Sequence, residues 1–323
     1  MQVLCYLGKA TRSGNLAVPF ESLLATSADY ARRQGLTGLL AVADGYFLHL
    51  VEGEPDAVEG LVGRIAVFWN HESPTVLFEH DTDVRAYAQW SCVIARRPAT
   101  LADMAGRMAY IRGFLHADGS ASAADAFRYF LTPNRAARPP GAQTPVRQIA
   151  VCSNSVLWFN PVFSHLAERY GTQASALKVS ETGRDADAFP LDYADVVAGD
   201  GVGLARLVGI SESLVGSTLS SPLLSKVELL VFLMRRSGHG SDTAFVAQAL
   251  RHPQARHALP GVLFITPGGN AELSATLRRI AAEAGMESAE HTGSVLDGGS
   301  TWGAIRDWLA AHPARPPHKL TDA

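Results

Sequence analysis

Short apolar runs separated by turn residues characterise the first hundred residues of the chain. They predict strands at residues 3–7, 36–43, 46–52, 75–78 and 91–95. The second and third runs are joined by Asp44 and Gly45, a dipeptide that tolerates the positive φ angles of a tight turn. These two strands are therefore predicted to form an antiparallel hairpin.

Two segments of the same region carry helical periodicity instead. Residues 19–34 place apolar side chains at helical spacings and are followed by Gly35, a typical C-terminal stop. Pro55 opens a second helix, whose apolar stripe consists of Val58, Leu61, Val62 and Ile65. The resulting order of elements predicts a ferredoxin-like α+β domain over residues 1–97, with both helices on one face of the sheet.

Helical spacings continue beyond this domain and then stop. Residues 101–115 and 123–131 are predicted as two helices of an appended segment, 98–131. This segment is expected to cap the second face of the sheet, which helices on one side alone would leave uncovered. Residues 132–146 carry four prolines and no apolar periodicity, so they are interpreted as a linker.

Alternating strand-like and helical segments predict a second domain over residues 147–312, followed by a tail at 313–323. Such alternation is typical of a mostly parallel, three-layer α/β fold. The predicted strands are 148–151, 176–179, 194–197, 227–233 and 261–265. The predicted helices are 161–170, 243–251, 271–284 and 301–311.

Composition narrows the class of protein. Hydrophobic residues make up 47% of the 323 residues and charged residues 18%, which indicates a folded globular chain. A formal net charge of −3 provides no cationic excess for direct nucleic-acid binding. Three widely spaced cysteines favour neither a zinc site nor a disulfide framework, and no apolar stretch is long enough to span a membrane. A cytoplasmic protein without membrane contacts is expected.

Four short motifs stand out in the first 95 residues. An opening strand contains Tyr6 ahead of a polar turn (LCYLGKAT), and the first helix is followed by LTGLL. The hairpin strand FLHLVEG ends in Glu52 and Gly53, and Trp90 lies near the last strand in YAQWSCV. In this combination the N-terminal domain resembles the BLUF family of flavin-binding blue-light receptors.

The resemblance implies a flavin between the two helices. In the family a tyrosine and a glutamine form a hydrogen-bonded relay to the flavin ring, and light rearranges the glutamine amide. The tyrosine corresponds to Tyr6, and the glutamine position holds His49, whose imidazole can donate and accept but cannot rotate as an amide does. If flavin is bound, the implied site residues are Tyr6, His49, Trp90, Ala31, Asn70 and Cys92.

Several positions depart from the family's pattern. Ala31 stands in place of an asparagine, Asn70 of a basic residue, Gly8 of a serine and Cys92 of a methionine. Polar contacts of roughly 0.5–1.5 kcal/mol each are lost by such changes, which weakens flavin binding. No cofactor is therefore expected, and FAD is the expected cofactor if the site is functional.

Aromatic and imidazole side chains of this domain also fit simpler roles. Tyr6 and Trp90 are large residues that can fill a core without a ligand, and His49 in an apolar strand fits a buried structural histidine. Phe68 and Trp69 follow a helix at positions where the family usually has polar residues. Two aromatic residues after a helix fit either packing into the vacated flavin space or a partner surface, and a protein interaction surface is the preferred prediction.

Two glycine-rich segments of the second domain are candidate phosphate turns. Gly201 and Gly203 follow a predicted strand, and Gly268 and Gly269 lie between a strand and a helix. A simple turn explains the first pair better and the second pair equally well, because neither has a complete phosphate-loop motif. Ser, His and Asp within residues 237–242 are interpreted as a polar loop with a helix cap, so no catalytic residue is predicted.

Taken together, these patterns predict a non-enzymatic regulatory or scaffolding protein that acts through protein–protein contacts, with a homodimer as one form of assembly. The first alternative is an FAD-binding photoreceptor with His49 in place of the usual glutamine. The second alternative is a nucleotide-binding enzyme that uses the C-terminal α/β domain.

Overall fold

A computed structural model describes most of the chain in twelve segments. They are residues 1–9, 26–43, 45–69, 74–96, 101–117, 123–131, 146–155, 160–171, 175–180, 189–198, 203–235 and 239–313. The chain divides into two compact units. Unit 1 contains Met1–Pro133 and Leu177–Phe189, and unit 2 contains Asn134–Ala176 and Pro190–Ala323.

The described strands are β1 (Gln2–Lys9), β2 (Thr37–Ala43), β3 (Tyr46–Gly53), β4 (Thr75–Asp81), β5 (Trp90–Arg96), β6 (Val146–Ser153), β7 (Ser175–Ser180), β8 (Phe189–Ala198), β9 (Gly203–Ser211), β10 (Leu229–Leu233), β11 (Gly261–Thr266) and β12 (Ser288–Thr292). The described helices are α1 (26–33), α2 (Pro55–Trp69), α3 (Leu101–Ala117), α4 (Ala123–Leu131), α5 (Asn160–Tyr170), α6 (Glu212–Val215), α7 (Ser220–Leu224), α8 (His239–Arg251), α9 (Pro253–Ala258), α10 (Ala271–Glu283) and α11 (Gly298–Ala311).

Unit 1 is built on a sheet with strand order β4-β1-β3-β2-β5-β7. Strand β1 is antiparallel to both β3 and β4, whereas β2 is antiparallel to β3 and parallel to β5. The first five strands with α1 and α2 confirm the predicted ferredoxin-like plan. Gly45 has φ +78° at the predicted hairpin turn, and Asp44 lies outside the described residues.

The two faces of this sheet are covered by different helices. One face packs against α1 and α2 in a buried cluster that includes Tyr6, Leu40, Phe47, Leu61 and Ile65. Helix α4 contacts β2 and β3 and buries other side chains, namely Phe127, Phe130 and Leu131. Helices α3 and α4 are the appended pair that the sequence predicts.

Gly38 is required where β2 approaches β3. Its φ is +142°, and a Cβ atom there would lie 2.1 Å from the carbonyl oxygen of Leu50. No side chain fits at that distance, so the LTGLL segment brings two backbones together at a point that accepts only glycine. This contact holds β2 against β3, beside the buried residues described below.

Unit 2 is built on a sheet with strand order β12-β11-β10-β6-β9-β8. Neighbouring strands from β12 to β9 are parallel, and β8 is antiparallel to β9. This confirms the predicted mostly parallel α/β fold. Its core lies between the sheet and helices α5 and α11, where Phe163, Leu166, Trp302 and Ile305 are buried.

Several elements differ from the sequence-based assignment. Strands β9 and β12 and the short helices α6, α7 and α9 were not predicted. The strand expected at 176–179 in the second domain is instead antiparallel to β5, with Ile94 opposite Ser180. An apolar run specifies a strand but not its partner, and β5 offers a free edge to which β7 adds. Residues 132–145 of the predicted linker and 314–323 of the predicted tail lie outside the described residues.

Candidate functional site

Strands β1, β3 and β5 bring Tyr6, His49 and Trp90 to one face of the unit 1 sheet. Tyr6 lies directly opposite His49 in the β1–β3 pair. On the other side of His49, Leu40 is its partner in β2 and Cys92 is the partner of Leu40 in β5. Because side chains alternate along a strand, Trp90 and Cys92 share the face that carries His49. The face is the one covered by α1 and α2.

The three side chains form a continuous hydrogen-bonded chain. The Tyr6 hydroxyl lies 2.7 Å from Nδ1 of His49, and the Trp90 indole Nε1–H donates to Nε2 of His49 at 3.0 Å. His49 is fully buried, and Tyr6 is only 2% exposed. The imidazole also makes edge contacts with both aromatic rings, at centroid distances of 5.1 and 6.0 Å. All hydrogen-bonding capacity of His49 is therefore used inside the protein.

The tryptophan sets the direction of this chain. An indole nitrogen can only donate, so Nε2 of His49 must accept and carries no proton. Burial lowers the pKa of His49 from 6.5 to about 3, which keeps the ring neutral. A neutral ring with an unprotonated Nε2 has its proton on Nδ1, so His49 donates to the oxygen of Tyr6. Imidazole held in this way has one tautomer and one orientation.

The Tyr6 hydroxyl is the last group of the chain. Its oxygen accepts from His49, and among the described residues no acceptor faces its own proton. Burial raises the pKa of Tyr6 above its ordinary value, so the hydroxyl keeps that proton. The Tyr6 ring also contacts Phe47 edge-on at 5.8 Å. The chain thus ends in a single buried donor.

The other positions implied by the resemblance add little polar chemistry. Ala31 is fully buried in the apolar cluster that also contains Cys92. Burial raises the pKa of the Cys92 thiol well above its ordinary value, so it remains neutral. A Cβ atom on Gly8 would lie 2.5 Å from Cζ of Phe47, so the Phe47 ring occupies the space where a serine side chain would begin. Asn70 lies outside the described residues.

Helices α1 and α2 touch each other directly. The Tyr30 hydroxyl lies where a Cβ atom on Gly60 would be only 2.2 Å away. The Arg64 guanidinium stacks over the Tyr30 ring at 4.4 Å. With this contact, and with both nitrogens of His49 engaged, the described residues do not fit the polar grip on a flavin ring that the resemblance implies. Phe68 and Trp69 end α2, and their side chains lie outside the described residues.

A second polar cluster lies where β3 ends, in the same sheet. Glu52 is 1% exposed and accepts hydrogen bonds from the Thr37 hydroxyl at 2.8 Å and from the backbone N–H groups of Ala86 and Tyr87 at 3.0 and 3.3 Å. Arg85 donates to the Thr37 hydroxyl at 3.0 Å. Sequence reasoning used Glu52 only as part of a family motif. Two of its three donors are backbone amides, and a backbone amide leaves no signal in the sequence.

Gly203, Gly268 and Gly269 are the described glycines of the two candidate phosphate turns in unit 2. Gly203 begins β9, which is antiparallel to β8, so this segment joins two strands and not a strand to a helix as a phosphate turn requires. Gly268 and Gly269 both have φ +75°, and the side chain of Asn270 caps α10 by accepting from the N–H of Leu273. Gly201 lies outside the described residues.

The buried carboxylate of Asp242 lies at the carboxyl ends of β6 and β10. Asp242 is 3% exposed and accepts from the backbone N–H, Nε and Nη2 of Arg235 at 2.9, 3.1 and 2.9 Å. Asn154 also donates to it. The sequence suggested that Ser241 or Asp242 caps a helix, whereas Asp242 joins α8 to the end of the sheet. Residues 237–238 lie outside the described part of the chain.

The N-terminal residues match one family model. Residues 1–93 match BLUF, the sensors of blue-light using FAD. The N-terminal domain is a BLUF domain. The match begins before β1, ends within β5 and stops before unit 2 begins. No curated protein matches the chain.

Three solved structures are similar to parts of this chain. BlsA in its photo-activated state is 22% identical over 41% of this chain and 92% of its own, with a TM-score of 0.30. BlrB in its dark state is 16% identical over 40% of this chain and 89% of its own, with a TM-score of 0.29. The small GTPase Arl6 from Trypanosoma brucei, solved with a bound nucleotide analogue, is 10% identical over 52% of this chain and all of its own, with a TM-score of 0.37.

None of the described helices is both long and apolar enough to cross a membrane. Within the same part of the chain, no group of three or more His, Cys, Asp or Glu side chains is arranged to hold a metal ion.

Proposed function

We propose that this protein is a non-enzymatic regulator whose BLUF domain acts through protein contacts and without flavin photochemistry. The observation that carries the proposal is the continuous hydrogen-bonded chain from Trp90 through His49 to Tyr6. A switch of the family's kind needs a group that can exchange donor and acceptor between two partners. His49 is held in one tautomer by the indole and has no nitrogen left for a ligand.

The surroundings of the chain support the same conclusion. Ala31 offers no polar group to a flavin ring, and Phe47 fills the space beside Gly8. Each missing polar contact removes roughly 0.5–1.5 kcal/mol of binding, so the two losses at Ala31 and Gly8 together weaken affinity by about 5- to 150-fold. Phe68 and Trp69 at the end of α2 are the proposed partner surface. The partner class is a protein, and a second copy of this chain is one candidate.

The test is the absorbance of the full chain purified in the presence of excess FAD. We expect wild-type protein to be colourless after gel filtration and to give no red shift under blue light. The His49→Gln, Ala31→Asn double variant restores the amide chemistry, so it is expected to retain more flavin than wild type. His80→Gln is the matched control, because His80 is an exposed histidine on β4. Stoichiometric flavin on wild-type protein would overturn the flavin-free proposal.

The partner surface needs a separate measurement. Phe68→Ser and Trp69→Ser together should abolish any self-association of the full chain seen by sedimentation, if a second copy is the partner. Unchanged association in this variant would exclude the end of α2 as the contact between copies.

A second candidate is a photoreceptor that uses His49 in place of glutamine. The observation that favours it is the buried Tyr6 proton, for which no acceptor is found among the described residues. A flavin carbonyl would supply such an acceptor. In that case the same absorbance experiment yields a yellow protein, and Tyr6→Phe removes the light-induced shift. The nucleotide-binding enzyme has weaker support, since Gly203 lies between antiparallel strands and Asn270 caps its own helix.

A further inference from the structure

The loop that joins β4 to β5 is exposed to solvent, and its backbone is hydrogen-bonded to a buried carboxylate. Residues 83–86 and 88–89 are exposed, and Val84 is 76% exposed. Beneath them, Glu52 is 1% exposed and accepts from the backbone N–H groups of Ala86 and Tyr87. The loop is therefore anchored through its backbone, while the Tyr87 side chain is itself buried and the Arg85 side chain donates to Thr37.

Both oxygens of the Glu52 carboxylate are engaged in hydrogen bonds. Oε1 of Glu52 accepts from Ala86, and Oε2 accepts from Tyr87 and from the Thr37 hydroxyl. The hydroxyl of Thr37 in turn accepts from Arg85. Hydrogen bonds to an ionised acceptor are stronger than neutral ones, and both oxygens are needed to satisfy donors on two sides. An isosteric amide would turn an N–H toward one of these backbone donors in either orientation.

The anchored loop leads directly into Trp90. Only Ala88 and Gln89 separate the amide of Tyr87 from the tryptophan, and the Gln89 carbonyl accepts from the N–H of Gly38 at 3.2 Å. The backbone path from the carboxylate to the indole is thus short and held at both ends. The indole itself donates to His49 on the opposite face of β3 from Glu52.

We infer that Glu52 is a positioning residue that couples the surface loop 82–89 to the buried chain of Trp90, His49 and Tyr6. The carboxylate fixes the loop backbone, and the loop backbone fixes the indole donor against the imidazole. A change at the loop surface then alters the hydrogen bond between Trp90 and His49, and a change at His49 alters the loop, since coupling between two sites is reciprocal. The inference holds whether or not the BLUF domain binds flavin.

The direct test is proton exchange at the indole N–H of Trp90 in the full chain. Protein labelled with ¹⁵N at tryptophan gives one indole signal per residue, and Trp90→Phe assigns the signal of interest by its disappearance. We expect the Trp90 signal of wild-type protein to exchange slowly because the N–H is buried and bonded. Glu52→Gln should accelerate its exchange at least tenfold, and Glu52→Asp, which keeps the charge, should recover part of the protection.

Glu79→Gln is the matched control. Glu79 is an exposed carboxylate on β4 that accepts from Gln2, so the variant removes a charge in the same sheet without touching the loop. Its indole exchange should equal that of wild type. If folded Glu52→Gln protein keeps the wild-type indole shift and exchange rate, the inference is overturned.

The reverse measurement applies even if Glu52→Gln does not fold. Trp90→Phe leaves Glu52 and the loop sequence intact; it removes the indole donor together with part of the ring system and keeps an aromatic side chain in the core. Reciprocal coupling requires faster amide exchange at Ala86 and Tyr87 in this variant, again by at least tenfold, measured by mass spectrometry of peptides that cover the loop. Loop exchange identical to wild type would refute the coupling.

Discussion

Acid should destabilise unit 1 through its buried histidine in a way that a glutamine at the same position avoids. Burial lowers the pKa of His49 to about 3 in the folded protein, whereas the unfolded chain titrates near 6.5. Since the folded-state pKa is the lower of the two, the unfolded chain binds a proton first as the pH falls. The contribution of His49 to stability is therefore complete above pH 6.5 and is lost as the pH drops toward 3.

The size of the effect follows from the width of that window. Each pH unit below about 6.5 removes roughly 1.36 kcal/mol of unfolding free energy until the folded state also titrates. At about pH 4.5 the loss attributable to His49 is therefore about 3 kcal/mol relative to neutral pH. A loss of this size is a large part of the stability of an ordinary domain.

The assay compares wild type with His49→Gln at pH 7.5 and pH 4.5. Hydrogen exchange of peptides from β1 and β3, corrected for intrinsic rates, gives the free energy of opening of unit 1 at each pH. Other titrating groups, including His252 of unit 2, are common to both proteins and cancel in the difference. We expect the gap between the two proteins to change by about 2–3 kcal/mol in favour of the variant at low pH. A gap that stays constant to within about 0.5 kcal/mol would refute the neutral, buried state of His49.

Two further predictions concern backbone and buried charge. Gly38→Ala forces a Cβ atom to 2.1 Å from a carbonyl oxygen, so it should destabilise unit 1 by about 3 kcal/mol or more. The added Cβ atom of Gly63→Ala on α2 meets nothing within 4 Å, so this variant should stabilise unit 1 by roughly 0.5–1 kcal/mol. Hydrogen exchange of β2 and β3 measures both effects. Asp195→Ala removes the carboxylate that the 1% exposed Arg206 contacts at 2.7 and 2.8 Å. We expect the free energy of unfolding of unit 2, measured in urea, to fall by about 3–5 kcal/mol. A decrease below about 1 kcal/mol would contradict the buried ion pair.

Elements encoded by local patterns could be predicted from the sequence. The hairpin at Gly45 and the helix that begins at Pro55 depend on turn chemistry and on an apolar stripe, and both are found in the structure. The predicted helix 123–131 coincides with α4 for the same reason. These features need no knowledge of distant residues, because neighbouring side chains specify them.

Elements that depend on a distant partner could not be predicted. Strand β9 contains Arg206 in an apolar run, and the ion pair with Asp195 on the adjacent strand helps to make a buried arginine compatible with a strand. Strand β12, SAEHT, is an edge strand with mostly exposed side chains, so it has no apolar run to reveal it. The pairing of β7 with β5 has no local signal at all.

The candidate site shows the same division. Tyr6, His49 and Trp90 were grouped by the family resemblance, and their placement on one sheet face follows from strand alternation. The direction of the hydrogen-bonded chain could be assigned only from the contacts in the structure. The role of Glu52 required two backbone amides of a loop, and any residue type at Ala86 or Tyr87 except proline would supply them.

The return of residues 177–189 to unit 1 bears on how the chain folds as it is synthesised. A ribosome that has made the whole BLUF match has still to translate more than 80 further residues before β7 exists. Until then β5 presents an unpaired backbone edge, which is a common starting point for association between nascent chains. Completion of the first unit therefore depends on synthesis of part of the second. No single cut of the polypeptide separates the two units into whole pieces.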